Sequence, residues 1–239
     1  MSYSDLQQQP IAMFDMDGTL LDLAFDDFIW NHCLPERHAQ VHKCSLEQSQ
    51  QTLFQFYQQH KHTLSWYSSA YWTAKVGVDV LQLQYEHREK IAARAGCHQL
   101  LEQLKAKGYR CWLLTNADQA GLQLKLENVE LSPYFELMIS SEELGHAKED
   151  VGFWQKLQQL HPFDPAKAVF IDDTVAVLKG AEAFGISQLV SILQPSSSKS
   201  SRSANELPYP ALNHLTELFD YLESNNLETN LQVTDAKTA

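Results

Sequence analysis

The feature that most constrains the fold is an alternation of short apolar runs with longer amphipathic stretches. The runs predicted as strands are Ile11–Phe14, Arg110–Leu114, Glu136–Ile139, Ala168–Ile171 and Gln188–Leu193. Helices are predicted between the last four of them, at Ala120–Asn128, Gly152–Leu160 and Val175–Phe184. Strands that alternate with helices pack as a parallel sheet with helices on both faces. We therefore expect an α/β fold with a doubly wound, Rossmann-like parallel sheet.

A long helical insertion interrupts this alternation. Roughly 95 residues separate the first two predicted strands, far more than a loop in a compact domain. Within them, Ser45 and Gln48 form a capping-box signature. Helices are predicted at Ser65–Val76, Val80–Arg94 and Gly96–Lys107. We predict a core domain from residues 1–23 and 96–223, with a helical cap domain, residues 24–95, inserted after the first strand.

The segments after the last predicted strand differ in composition from the rest. Residues 195–206 are rich in serine, which predicts a flexible surface loop that cannot form a packed core. Ala211–Leu222 has the pattern of an amphipathic helix. Residues 224–239 are expected to be a flexible tail.

Charge and composition exclude several functional classes. The chain has 239 residues, with 18 Lys and Arg against 30 Asp and Glu, a net charge of −12. That charge repels nucleic-acid polymers, although a local cationic site can still bind a small phosphorylated metabolite. No apolar run reaches the roughly 18 residues of a membrane span, and the N-terminus lacks the pattern of a signal peptide. The four cysteines have no CxxC spacing, so we expect reduced thiols in a cytoplasmic protein.

Polar side chains follow three of the predicted strands. Asp15 and Asp17 follow the first, Thr115 and Asn116 follow the second, and the pair Asp172–Asp173 follows the fourth. The carboxyl ends of parallel strands lie along one edge of a sheet, where ligands bind. Clustered carboxylates repel one another and require a cation, and a set of oxygen ligands without Cys or His favours Mg²⁺.

These residue types are suited to phosphoryl transfer. Asp15 and Asp17, two apart on an extended segment, point to the same side. A carboxylate can attack phosphorus, and a second carboxyl can protonate the leaving oxygen and activate water. Gly18 permits a sharp turn after them. Thr115 can hold phosphate oxygens through its hydroxyl and N–H, and Lys148, between the third strand and the next helix, can balance the charge.

Taken together, the motifs resemble those of haloacid dehalogenase-like (HAD) phosphohydrolases. The residues that carry the resemblance are Asp15-Met16-Asp17-Gly18-Thr19-Leu20, Thr115-Asn116, Lys148 and Phe170-Ile171-Asp172-Asp173. The resemblance implies that Asp15 is the nucleophile and Asp17 the acid and base. It also implies Mg²⁺ bound by Asp15, the Asp17 backbone carbonyl and Asp172. The supporting residues would be Gly18, Thr19 and Asp173, and the phosphate-binding residues Thr115, Asn116 and Lys148. Many relatives have Lys-Pro where this chain has Lys148-Glu149.

A narrower resemblance concerns the substrate. The chain is similar to the bacterial GMP/IMP-type 5′-nucleotidases of this superfamily in five segments: residues 15–26, 63–67, 71–72, 114–117 and 147–150. This similarity implies a purine nucleoside monophosphate as substrate. The cap aromatics Trp66, Tyr67, Tyr71 and Trp72 are candidates for stacking on the base, although aromatic stripes of this spacing more often form core.

Other functions remain open on the sequence. A related phosphatase of a sugar phosphate, phosphoglycolate or a flavin phosphate would share every motif. A mutase would return the phosphoryl group to a sugar, and a dehalogenase would have no use for the metal-binding carboxylates. A non-catalytic nucleotide-binding protein would lack the nucleophile or a metal carboxylate. We expect a monomer or weak dimer that acts on a small phosphorylated metabolite, without a nucleic-acid or membrane partner.

Overall fold

A parallel sheet forms the centre of the molecule. The computed structural model describes residues 9–224, so the predicted tail lies outside the described residues apart from Ser224. The strands are β1 (Ile11–Phe14), β2 (Arg110–Thr115), β3 (Leu137–Ser140), β4 (Ala168–Ile171), β5 (Gln188–Ile192) and β6 (Ala211–Leu212). They are all paired in parallel, in the order β3-β2-β1-β4-β5-β6. The predicted α/β fold with a doubly wound parallel sheet is confirmed.

Both faces of the sheet are buried, as its composition predicts. Side chains alternate along a strand, so Ala12 and Phe14 of β1 belong to one apolar cluster, and Ile11 and Met13 belong to the other. The predicted strand ends are correct to within one residue. The main extension is at Thr115, which pairs with Ser140 and so belongs to β2.

Helices cover both faces and fill the interval between β1 and β2. They are α1 (Ala24–Phe28), α2 (Leu34–His42), α3 (Leu46–His60), α4 (Ser69–Val76), α5 (Val80–Glu86), α6 (Cys97–Ala106), α7 (Gln119–Asn128), α8 (Ser141–Leu144), α9 (Val151–Leu160) and α10 (Val175–Phe184). A π-helical turn, Ile29–Cys33, joins α1 to α2, and residues 218–224 are also helical. The predicted capping box of α3 is present, with both hydrogen bonds between Ser45 and Gln48 formed.

Two predicted helices of the insertion are too long. The stretch Ser65–Val76 is divided into a 3₁₀ turn, Leu64–Tyr67, and α4, because the Ser68 side chain caps a new helix there. The stretch Val80–Arg94 leaves the helix after Glu86. Its last residues, 92–94, instead pair with residues 20–22: the N–H of residue 22 donates to the carbonyl of residue 92, and that of residue 94 to residue 20. These tertiary hydrogen bonds replace those of the predicted helix.

The prediction of a helix at Ala211–Leu222 is wrong in its first part. Ala211 and Leu212 form β6, which extends the sheet beyond β5. The N–H of Ser191 donates to the carbonyl of Pro210 at 2.7 Å. Without β6, the outer edge of β5 would have unpaired backbone N–H and C=O groups, and this pairing gives them hydrogen-bond partners.

The serine-rich loop is anchored to the start of the insertion. The N–H of Ser197 donates to Asp22 Oδ1 at 2.9 Å, and Lys199 Nζ lies 2.5 Å from Asp27 Oδ1. Arg202 donates to the backbone carbonyl of Asp173 at 2.9 Å. The expectation of a flexible loop came from composition alone, and it missed these partners.

The insertion shares one continuous apolar cluster with the sheet. Phe25, Leu53 and Trp72 of the insertion belong to the same cluster as Phe14 of β1. The division into core and cap domains therefore stays a proposal. All four cysteines are free thiols, as predicted. Among residues 9–224, no helix combines the length and apolar character needed to cross a membrane.

Candidate active site

Two carboxylates stand directly after the two central strands. Asp15 follows β1, and its N–H donates to the carbonyl of Ile171 at 2.9 Å. Asp172 follows β4, and its N–H donates to the carbonyl of Val190 at 3.1 Å. These hydrogen bonds extend the sheet by one residue on each strand. Both side chains are buried, so the sheet fixes the direction in which they point.

The ammonium group of Lys148 lies between these two carboxylates. Its Nζ is 2.6 Å from Asp15 Oδ1 and 2.8 Å from Asp172 Oδ2, and it also donates to the carbonyl of Leu114 at 2.8 Å. Burial alone would lower the pKa of Lys148, but the two carboxylates outweigh that effect and raise it. The lysine is therefore a fixed positive charge at the floor of the site.

A third carboxylate, Asp173, completes an acidic cluster. Asp15, Asp172 and Asp173 each place an oxygen within 4.8 Å of the others. Burial, reinforced by repulsion among the carboxylates, raises the pKa of Asp15 to about 7, of Asp172 to about 6 and of Asp173 to about 7. Without a further cation, ionisation of all three carboxylates together is therefore energetically unfavourable.

This cluster fits a hard divalent cation. Asp15 Oδ2 is buried and has no hydrogen-bond partner among residues 9–224. Lys148 provides one positive charge against three carboxylates. Oxygen donors alone are the ligands that Mg²⁺ takes in proteins. The side chain of Asp17 is not part of this cluster. The expectation that its backbone carbonyl is a metal ligand stays a prediction.

The side chain of Asp17 is instead held by a lysine that the sequence analysis missed. Lys125 Nζ lies 2.6 Å from Asp17 Oδ1 and 3.0 Å from Asp26 Oδ1. Lys125 belongs to α7 and is buried on the same helix face as Gly121 and Leu122. A lysine in register with apolar residues on a helix was the available signal.

The turn after Asp17 brings the backbone close to the acidic cluster. Gly18 has a φ of 89°, and a Cβ atom there would lie 2.8 Å from Cγ of Asp173. Thr19, the next residue in the chain, is fully buried. A glycine is therefore required at this position, both for its conformation and for lack of space.

The predicted phosphate-binding residues at the end of β2 hydrogen-bond to the loop after the strand and to the Lys148–Glu149 segment. Thr115 Oγ1 accepts a hydrogen bond from the N–H of Ala117 at 3.0 Å. Asn116 Oδ1 accepts from the N–H of Lys148 at 2.9 Å, and Asn116 Nδ2 donates to Glu149 Oε2 at 2.9 Å. The Asn116 side chain thus holds the Lys148–Glu149 segment in place.

These residues surround one cavity of about 430 Å³ between the sheet and the insertion. The sequence-predicted residues that line it are Asp15, Asp17, Thr115, Asn116, Lys148, Asp172, Asp173, Trp66, Tyr67 and Trp72. Gly18, Thr19 and Tyr71, also candidates from the sequence, are not among its lining residues. Trp30, Asn31, Tyr57 and Gln84 line the wall formed by the insertion.

The cap aromatics pack mainly against one another. Trp72 is 1% exposed and makes edge-to-face contacts with Trp30, Tyr57, Trp66 and Tyr71, with ring centroids 5.3–5.8 Å apart. Its Nε1 donates to the carbonyl of Trp66 at 2.7 Å. Trp72 is therefore a core residue, as the alternative interpretation of these aromatics predicted. Trp66 and Tyr67 are only partly buried and line the cavity.

Two carboxylates outside the insertion, Asp118 and Glu149, accept hydrogen bonds from residues of the insertion. Asp118 Oδ1 accepts from the N–H of Gly121 and so caps α7, while Oδ2 accepts from the N–H of Ser69 at 2.6 Å and from its hydroxyl. Glu149 Oε1 accepts from the hydroxyl of Tyr67 at 2.5 Å. Neither contact could be predicted from the sequence, because the two partners of each are far apart in the chain.

Comparisons with known proteins agree on one family. A model of the haloacid dehalogenase-like hydrolases matches residues 10–185. The GMP/IMP nucleotidase YrfG of Escherichia coli strain K12 is 32% identical over 216 residues, 90% of this chain and 96% of that protein. The pyrimidine 5′-nucleotidase PynA of Streptococcus pneumoniae is 33% identical over 94 residues, 38% of this chain and 40% of that one. The crystal structure of a HAD phosphatase from Thermococcus onnurineus has a TM-score of 0.74 at 19% identity, covering 90% of this chain and 98% of that one.

Proposed function

The chain belongs to the haloacid dehalogenase-like hydrolase family, and we propose that it is a Mg²⁺-dependent phosphatase of purine nucleoside 5′-monophosphates. The observation that carries this proposal is the arrangement around Asp15. One of its oxygens lies 2.6 Å from Lys148 Nζ, and the other is buried without a hydrogen-bond partner in the described part of the chain. A carboxylate so held, in a cavity with further carboxylates, is suited to attack phosphorus.

Mg²⁺ would be held by the carboxylates of Asp15 and Asp172 and by the backbone carbonyl of Asp17, with Asp173 nearby. Bound there, it would neutralise charge on the phosphoryl oxygens. Lys148 would balance the charge that spreads over the same oxygens, together with the hydroxyl and N–H of Thr115.

The reaction would take two steps. An oxygen of Asp15 attacks phosphorus and the bond from phosphorus to the ribose 5′-oxygen breaks, while Asp17 donates a proton to that oxygen. Asp17 then takes a proton from water, which attacks phosphorus and releases phosphate from Asp15. In this proposal residues 24–95 form the cap, which excludes bulk water while the reaction proceeds.

The cavity wall supports a nucleoside as the remainder of the substrate. Trp30, Tyr57 and Trp66 present aromatic surface, and Asn31 and Gln84 present amide groups that can bind a base edge. Base–aromatic stacking is worth ~1–3 kcal/mol per base in proteins that bind single-stranded nucleic acids. The purine preference is supported by the similarity to YrfG, a GMP/IMP nucleotidase that matches 90% of this chain.

A phosphate-release panel with Mg²⁺ tests the substrate. It contains GMP, IMP, AMP, pyrimidine nucleoside monophosphates, sugar phosphates, phosphoglycolate and flavin mononucleotide. We expect the highest kcat/KM for GMP and IMP, and no release in the presence of EDTA. A higher kcat/KM for a sugar phosphate, phosphoglycolate or flavin phosphate would reject the nucleotidase and leave a sister phosphatase.

The substitution Asp15→Asn tests the nucleophile. We expect it to abolish turnover while the circular dichroism spectrum and melting temperature stay close to those of the wild type, because Asn has nearly the same shape and Asp172 still pairs with Lys148. Phosphate release by Asp15→Asn at the wild-type rate would overturn the assignment.

A further inference from the structure

Lys125 is a second buried lysine of the cavity, and it has no role in the proposed reaction. Its side chain is 4% exposed, and its Nζ contacts Asp17 Oδ1 at 2.6 Å and both carboxylate oxygens of Asp26 at 3.0 and 3.1 Å. Burying a lysine is unfavourable unless charged partners compensate for the lost water. Lys125 therefore depends on these two carboxylates, and they depend on it.

The two buried lysines divide the two motif carboxylates between them. Lys148 contacts Asp15, and Lys125 contacts Asp17. Each lysine also contacts a second carboxylate, Asp172 in one case and Asp26 in the other. The contact between Lys125 and Asp17 is an ion pair to Oδ1 of the carboxylate.

Three separate elements meet at Lys125. The lysine comes from α7, whose Leu122 and Leu124 belong to the same apolar cluster as Phe14 of β1, and Asp17 comes from the turn after β1. Asp26 comes from the first turn of α1, where the insertion begins. The direction of the Asp17 side chain is thus coupled, through one ammonium group, to the position of the insertion.

We propose that Lys125 is a positioning residue, which acts through Asp17 and orients its carboxyl for proton transfer to the leaving oxygen. This inference rests on the proposed function, because it assigns Asp17 the proton transfer described there. It predicts that loss of Lys125 slows the departure of leaving groups that need a proton and spares those that do not.

Two substrates of similar size separate this effect from a general loss of structure. Benzyl phosphate releases an alcohol and needs the proton, whereas p-nitrophenyl phosphate releases a stable anion without it. In Lys125→Met we expect kcat/KM to fall roughly 100-fold for benzyl phosphate and less than about threefold for p-nitrophenyl phosphate. The ratio of the two values does not depend on the fraction of folded enzyme. GMP should behave like benzyl phosphate.

Two further variants and a control complete the experiment. Lys125→Arg, which keeps the charge, should recover most of the benzyl phosphate activity. Asp26→Asn should give a smaller loss that is selective in the same direction, and it decides the outcome if Lys125→Met does not fold. Lys156→Met is the control, because Lys156 is an exposed lysine of α9 that bonds the carbonyl of Leu144, and it should leave both substrates unaffected.

The outcomes distinguish this inference from the proposed function. Equal losses of kcat/KM for benzyl phosphate and p-nitrophenyl phosphate in Lys125→Met would overturn the positioning role. If Lys125→Met does not fold, equal losses in Asp26→Asn would overturn it. The proposed function itself would be refuted if the wild-type enzyme, with Mg²⁺ present, released no phosphate from GMP, benzyl phosphate or p-nitrophenyl phosphate.

Discussion

At Gly18, space for a side chain is taken by the acidic cluster. A Cβ atom would lie 2.8 Å from Cγ of Asp173 and 3.1 Å from Cβ of Pro195. Gly18→Ala must therefore displace Asp173 or the turn that carries Asp17. We expect kcat/KM to fall roughly 10- to 100-fold, because displacements of about 1 Å at an active site have effects of that size.

Gly108→Ala is the matched control for Gly18→Ala. Gly108 has a φ of 82°, close to the 89° of Gly18, but within residues 9–224 no atom beyond its chain neighbours lies within 4 Å of its Cβ position. Both variants should lose about 1–2 kcal/mol of unfolding free energy from backbone strain, measured by urea denaturation. Only Gly18→Ala should lose activity, and equal kcat/KM values in the two variants would contradict the close contact.

At the scale of residues, the sequence was informative where strand topology determines the neighbours. Asp15 and Asp172 were expected to meet because both follow parallel strands, and the structure places them on either side of Lys148. Lys125 was not found, because its contact with Asp17 depends on how α7 packs against the turn after β1. A helix lysine carries no local sign of such a partner beyond its apolar neighbours.

Among the helices, Asp118 holds the ends of two at once. One carboxylate oxygen caps α7, and the other accepts from the N–H and hydroxyl of Ser69 at the start of α4. Asp118→Ala removes the cap and leaves the buried Ser69 groups without this partner. We expect a loss of about 3 kcal/mol in unfolding free energy, measured by urea denaturation.

Asp79→Ala provides the comparison for Asp118→Ala. Asp79 caps α5 alone, through a hydrogen bond of 2.9 Å from the N–H of Gln82. Its removal should cost about 1 kcal/mol, as is usual for a helix cap. Equal losses in the two variants would show that the contact between Asp118 and Ser69 contributes no stability.

The elements themselves were predicted to different extents, for a physical reason. Five strands were found from buried apolar runs, which are a local property of the sequence. Strand β6 has two residues, Ala211 and Leu212, and forms because β5 offers an edge beside it. Residues 92–94 have a helical pattern but bond to residues 20–22. Local patterns cannot reveal a segment whose hydrogen-bond partners are remote in the chain.

For the molecule as a whole, we expect the acidic cluster to make stability depend on a divalent cation. An ion that binds the folded state stabilises it in proportion to the logarithm of its concentration once its site begins to fill. We expect the melting temperature of the wild type to rise as MgCl₂ is added, compared with NaCl of equal ionic strength. Asp172→Asn should lose most of this rise, because Asp172 is one of the three clustered carboxylates.

The control for this measurement is Asp164→Asn, which changes the net charge by the same amount. Asp164 is exposed and caps the short 3₁₀ turn Pro165–Lys167, away from the cluster. It should keep the full response to Mg²⁺. A response in Asp172→Asn as large as that of Asp164→Asn would show that Mg²⁺ acts elsewhere on the protein.

The pairing of residues 20–22 with residues 92–94 has a consequence for how such a protein can diversify. The chain leaves the sheet and returns to it at adjacent points, joined by backbone hydrogen bonds. The length and content of what lies between them can therefore vary without altering the spacing of the strands. A lineage can exchange that middle portion, and with it one wall of the cavity, while Asp15 and Asp172 stay fixed by their backbone hydrogen bonds to the sheet.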